Sequence, residues 1–190
     1  MPPPSPKLDA NLVLIGGRGC GKSSLSRRIL RRNKQFVLLS LDSLIQYEAG
    51  ASIPQIVAQR GWKEFRDLEF AVVEKTTQIP APTLLDCGGG VVVDLDESGH
   101  EVFSRRKVEA LRRHGHVVYL KRDADYLIGR IANDPNRPPL SDERSFIDIM
   151  KRRDPWYREA ADLTLECGER SKDDLATEIL HWFLRRAASS

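Results

Sequence analysis

At 190 residues, with 41% apolar and 30% charged side chains, the chain has the length and composition of one ordinary globular domain, which excludes long disorder, collagen and a disulfide-stapled miniprotein. Thirty Lys and Arg against 27 Asp and Glu leave a net charge of +3, too little for a dedicated nucleic-acid binder, so any anion site is local. Cys20, Cys87 and Cys167 have neither CxxC spacing nor a neighbouring His, which fits a reducing cytoplasm, and no uncharged apolar run reaches the roughly 18 residues a membrane span needs.

Residues 1–10 are rich in proline and read as a flexible leader; 11–190 read as a single domain. Asn11 to Ile15 is a short apolar run that stops at glycines, the pattern of a strand buried on both faces. Lys22 to Asn33 then places Leu25, Ile29 and Leu30 at helical spacing, with Arg27, Arg28, Arg31 and Arg32 as a solvated face. Phe36 to Ser40 reads as a second strand, followed by helical stretches over Asp42–Ala49, Ser52–Gln59 and Trp62 to about Gln78. Thr83 to Cys87 is a third strand ending at Gly88-Gly89-Gly90. Two short extended runs about a turn occupy 91–104 and read as a surface hairpin. Val117 to Leu120 and Leu163 to Leu165 supply two more strands, and a last helix starts near Lys172. Alternating strands and helices predict a three-layer α/β/α fold with a five-stranded parallel sheet and ligands at the carboxyl ends of its strands.

Gly16-Gly17-Arg18-Gly19-Cys20-Gly21-Lys22-Ser23 satisfies G-x-x-x-x-G-K-[ST] between a predicted strand and a predicted helix, which makes this a P-loop NTPase fold. Glycines let successive backbone N–H groups turn toward phosphate oxygens, and the helix amino end adds partial positive charge. Gly19, Cys20, Gly21, Lys22, Ser23 and Ser24 are therefore candidates for ATP phosphates, with Lys22 as the full charge and the Ser23 hydroxyl for Mg²⁺. No Asn-Lys-x-Asp for guanine is present, and the chain is short for a motor or transporter ATPase, so a small-molecule kinase leads.

From about residue 11 to 184 the motifs resemble those of shikimate kinases. Asp42 resembles the second Asp of the family's D-x-D, which holds the shikimate hydroxyls. Gly61 to Glu69 resembles G-E-x-x-F-R-x-x-E, with Arg66 on the substrate carboxylate. Gly88-Gly89-Gly90 matches the triple glycine that the substrate ring approaches. Arg137-Pro138-Pro139-Leu140 resembles the lid signature, within a lid at about 134–143; Arg130 resembles the arginine that packs on adenine. Arg153 is similar to the second carboxylate-binding arginine, and Arg170 to the late arginine beside the nucleotide. The resemblance implies transfer of the ATP γ-phosphate to the 3-hydroxyl of shikimate in chorismate biosynthesis. Lys22, Asp42 and Arg137 would be catalytic, and Asp42, Arg66, Gly88, Gly89, Gly90 and Arg153 would bind substrate. A small carboxylate with vicinal hydroxyls suits arginine forks at one end and a carboxylate acceptor at the other.

Three features depart from the family pattern. Ser40 stands where the first Asp of D-x-D belongs, and Asp86, at the end of the third strand, is the candidate replacement in the metal's surroundings together with Ser23. Trp62 replaces the Glu of G-E-x-x-F-R, and its size favours packing beneath the substrate helix over shaping the pocket. The stretch 91–104 is longer than usual and directly follows the substrate-binding glycines, which leaves a role in substrate choice or in a subunit contact open beside that of a surface hairpin. A kinase of another polyol acid such as gluconate, and a catalytically silent regulatory module, are the alternatives; a monomer without nucleic-acid or membrane partners is the default.

Overall fold

The computed structural model describes residues 8–79, 82–131 and 146–187. The chain runs β1 (Asn11–Ile15), α1 (Lys22–Arg32), β2 (Val37–Ser40), α2 (Leu41–Ala49), α3 (Ile53–Thr77), β3 (Thr83–Asp86), β4 (Val93–Leu95), β5 (Glu101–Phe103), α4 (Arg105–Arg113), β6 (Gly115–Lys121), α5 (Ala124–Ile131), α6 (Phe146–Ala160), β7 (Leu163–Glu166) and α7 (Lys172–Ala187). Five parallel strands form one sheet in the order β2-β3-β1-β6-β7, with helices on both sides. All residues of β1 and β3 are buried, as expected for central strands covered on both faces.

The register sets the site. In the pairing of β2 with β3, Ser40 stands opposite Asp86, and in that of β1 with β3, Leu14 does. The carboxyl ends of β1, β2 and β3 therefore open at one edge, where the loop from β1 turns into α1. Ser40 also caps α2: its hydroxyl accepts from the Ser43 backbone N–H at 3.4 Å.

α3 starts with a capping box between Ser52 and Gln55 and is broken at Gly61, whose φ of 79° is not helical. The two helical stretches predicted from the sequence are the two sides of this break. Beyond it, Phe65, Arg66, Glu69, Val72, Val73 and Thr76 face inward at helical spacing, which puts a charged pair on an otherwise core-facing stripe. α1 packs on α7, and Arg28 and Arg32 reach Asp173 on the surface at 3.4 and 2.6 Å.

The stretch 91–104 does form a hairpin, with β4 and β5 antiparallel around a turn that Asp96 closes. It is less superficial than its sequence suggests: Val91, Val92 and Val93 are buried, and both strands carry acids that pair with buried cations. The lid at 134–143, with Arg137, lies outside the described residues; Arg130 lies on α5, and its side chain is also outside them. Among the described residues no helix is long and apolar enough to cross a membrane.

Candidate active site

Two cavities meet at the carboxyl edge of the sheet. The larger, about 1360 Å³, is lined by Gly19, Gly21, Lys22, Ser23 and Ser24 of the phosphate loop, by Ser40 and by Asp86. The smaller, about 540 Å³, is lined by Trp62, Phe65, Arg66, Glu69, the three glycines 88–90, Met150 and Arg153. Asp42, Arg18 and Gly89 line both, so a group bound in one cavity faces a group bound in the other across Asp42.

Lys22 is buried, and its Nζ donates to the carbonyl oxygens of Gly16 at 2.8 Å and Gly17 at 3.2 Å. Burial works against its charge, but the fields of Cys20, Asp86, Tyr157 and Asp42 prevail and raise its pKa above the ordinary lysine value. The ammonium is therefore fully charged at neutral pH. Asp86 is buried at the end of β3, on the phosphate cleft, opposite Ser40 in the pairing of β2 with β3. Among the described residues no three His, Cys, Asp or Glu side chains gather into a protein-only metal cage. One hydroxyl and one carboxylate on a phosphate cleft suit Mg²⁺, which keeps waters and takes its other ligands from phosphate oxygens.

In the smaller cavity Arg66 is buried and packed against Trp62 and Phe65, with its guanidinium carbon 5.4 and 5.2 Å from their ring centres. The two rings meet edge to face, and Trp62 also lines the cavity, so the favoured reading of it as a packing residue and the other reading of it as part of the pocket wall both hold. Nη1 of Arg66 donates to Glu69 at 2.8 Å and to the Gly90 carbonyl at 3.3 Å; its Nε is buried with no protein partner among the described residues. Glu69 is also held by Lys107, itself fully buried, at 2.7 Å. Burial alone would raise the Glu69 pKa; Lys107 and Arg66 together hold it below the usual carboxylate range.

Arg153 enters from α6 and is also buried. Its Nη1 donates to the Gly89 carbonyl at 3.4 Å, an oxygen that also accepts from the Tyr157 hydroxyl one helical turn on. Tyr157 stacks on Tyr119 of β6 with ring centres 4.9 Å apart, which ties α6 to the sheet.

The triple glycine has a reason internal to the protein. A Cβ on Gly88 would stand 2.5 Å from Oδ1 of Asp42, and one on Gly90 would stand 2.5 Å from both Nη1 and Nη2 of Arg66. Each hydrogen in place of a methyl lets a site side chain close onto the loop.

The structure thus brings together Lys22, Ser23, Asp42, Asp86, Arg66, Gly88, Gly89, Gly90 and Arg153. Arg170 is placed apart, on the surface, where it pairs with Glu178; Lys172 at the start of α7 lines the phosphate cleft instead. Sequence reading missed Arg18, Lys172 and Met150. Arg18 occupies a variable position of the phosphate motif, and nothing in its local pattern marks it.

The sequence model of the family described as shikimate kinase matches residues 18–184. A shikimate kinase of Leptospira biflexa serovar Patoc is 43% identical over 173 residues, 90% of this chain and 94% of its own length. One of Leptospira borgpetersenii is 40% identical over 174 residues, 90% and 96% of the two chains. Among solved structures, the shikimate kinase from Acinetobacter baumannii in complex with shikimate superposes with a TM-score of 0.79 at 32% identity, covering 93% of this chain and 94% of that one.

Proposed function

The chain belongs to the shikimate kinase family, and from that membership we propose how its two cavities share one reaction. It is an ATP-dependent small-molecule kinase whose acceptor is shikimate, the ligand of the Acinetobacter structure. The ATP phosphates occupy the larger cavity and shikimate the smaller. The shikimate 3-hydroxyl oxygen attacks the γ-phosphorus, the bond from that phosphorus to the β,γ-bridging oxygen breaks, and ADP leaves. Asp42 orients the hydroxyl and takes its proton. Lys22 leaves the loop carbonyls for the γ-phosphate oxygens, where transferred charge develops. Arg66 and Arg153 hold the carboxylate at the far end of the ring.

Ser23 and Asp86 are the residues that would hold Mg²⁺, which supplies charge neutralisation to the β- and γ-phosphates when bound. Arg137, by the family resemblance, adds a second cation from the lid. The free, buried thiols of Cys20, Cys87 and Cys167 support a reducing cytoplasm.

The observation that carries this reading is the position of Asp42 on both cavities, the one carboxylate they share. It is tested by coupled ADP release with shikimate, gluconate, quinate or no acceptor, in wild type and Asp42→Asn. Shikimate-dependent turnover that falls by about 10² to 10³ in the variant supports it; turnover on gluconate alone, or none with both ligands bound, overturns it.

A further inference from the structure

The geometry points to Glu101, on the hairpin between β3 and α4, as the positioning residue that aims Arg153 at the acceptor's carboxylate. This rests on the reading that Arg153 binds that carboxylate.

Glu101 takes Arg153 side-on. Nε donates to Oε2 at 3.1 Å and Nη2 donates to Oε1, a bidentate pair that fixes the plane of the guanidinium. The Arg153 side chain is 2% exposed and lines the acceptor cavity, whereas Glu101 is not among the residues that line it. Since the Nε and Nη2 edge is spent on Glu101, the edge bearing Nη1 is left toward Gly89 and the cavity. An arginine side chain has several rotatable bonds, and a charge buried this deeply without a partner would swing toward solvent. Glu101 removes that freedom and selects which edge meets the substrate.

Charge balance agrees. Glu101 also accepts from Nη2 of Arg152, so two guanidinium groups share one carboxylate and leave one net positive charge for an incoming carboxylate. The same two cations keep Glu101 ionised, below the usual range, against its partial burial.

The hairpin is built to hold Glu101 still. Leu95 of β4 pairs with it across the ladder. One residue before, Asp94 accepts twice from Arg106 at 2.8 Å and from the Ser104 hydroxyl at 2.7 Å, and Arg106 continues to Asp67 of α3 at 2.8 Å. Lys107 ties the Val93 carbonyl to Glu69, the partner of Arg66. The longer stretch after the triple glycine thus touches the supports of both acceptor arginines, which gives a physical form to the role in substrate choice that its place after the glycines left open.

The test is steady-state kinetics of Glu101→Ala and Glu101→Gln, alone and combined with Arg153→Lys, using shikimate and its methyl ester as acceptors. Glu101→Ala should raise KM for shikimate about 10-fold, the loss of one charged hydrogen-bonded pair, with KM for ATP and kcat within about threefold. Glu101→Gln keeps the shape and one acceptor oxygen, so its effect should be smaller; it carries the test if the alanine variant does not fold. The Glu101 effect should vanish with the ester and in the Arg153→Lys background. A purely structural Glu101 would disturb ATP and ester equally, which overturns the inference. So does an unchanged or lowered KM in Glu101→Ala where Arg153→Lys alone raises it. An unchanged KM in Arg153→Lys overturns the assignment of Arg153 itself.

Discussion

On the phosphate side, Lys22 rests on the carbonyl oxygens of Gly16 and Gly17, neutral partners that it can exchange for phosphate oxygens. On the acceptor side, Arg66 and Arg153 are each bonded to a carboxylate, Glu69 and Glu101. Both pairings bury charge at the same sheet edge, yet they leave different things available. In the proposed reaction Lys22 would bring mobile charge to where charge changes during transfer, while the arginines would bring fixed direction to a carboxylate whose charge does not change. Interactions that strengthen only in the transition state raise kcat, and those equal in ground and transition states lower KM. The two sides should therefore separate in kinetics.

The largest expected effect follows from that separation. Lys22→Met should lower kcat by about 10³-fold and leave KM for shikimate within a few fold, read from coupled ADP release at saturating ATP. A rise in acceptor KM as the main effect would break the comparison.

Neighbouring glycines give a sharper form of the same contrast. In Gly88→Ala the new methyl displaces the Asp42 carboxylate, and in Gly90→Ala it displaces the Arg66 guanidinium. Both displaced atoms are ends of side chains, so folding survives and the cost falls on the reaction. Gly88→Ala should lower kcat about 10²-fold, and Gly90→Ala should raise acceptor KM about 10-fold with a smaller change in kcat. Equal kinetic profiles for the two variants would show that the loop acts only as a backbone wall.

Legibility in the sequence divides along the same line. The phosphate loop is eight consecutive residues whose function needs only their own backbone, so spacing alone identified it, and the sheet followed from short apolar runs. The acceptor pocket is assembled from α2, α3, the loop after β3, and α6. Its arginines stood out only by resemblance, because one Arg among many carries no local mark. Glu101 and Lys107 were invisible for a further reason: they act on other side chains, and strand register and helix packing, not sequence distance, bring them there. Asp86 is intermediate. Its type and strand-end position suggested a metal role, but its place opposite Ser40 required the pairing of β2 with β3.

That pairing predicts a moderate effect on the phosphate side. If Asp86 stands in for the acid absent at 40, Asp86→Ala should raise the Mg²⁺ concentration for half-maximal rate about 10-fold, while acceptor KM holds. Restoring the acid in Ser40→Asp on that background should recover part of the loss. An unchanged Mg²⁺ titration in Asp86→Ala would remove Asp86 from the metal's surroundings.

The smallest effect concerns stability, and it separates the two sides by pH. Burial would raise the pKa of Asp94, but bonds from Arg106 and Ser104 and the charge of Lys107 bring it down from 3.8 to about 2. A folded value below the unfolded one means stability complete above about pH 4 and lost as pH falls through 2. With solvent screening this amounts to about 1 to 2 kcal/mol. Glu69 and Glu101 shift the same way, so acid should loosen the acceptor side first. Lys22 shifts upward from 10.5, so its contribution is full below that value and fades only as pH rises through its folded value; acid leaves it intact. Asp94→Asn should therefore lower Tm by about 3 to 6 °C at pH 7 and by about half as much at pH 3, in thermal melts followed by circular dichroism. A gap that stays constant from pH 7 to 3 would mean that the Asp94 contribution is shape and hydrogen bonding, and that the charges around the hairpin balance without it.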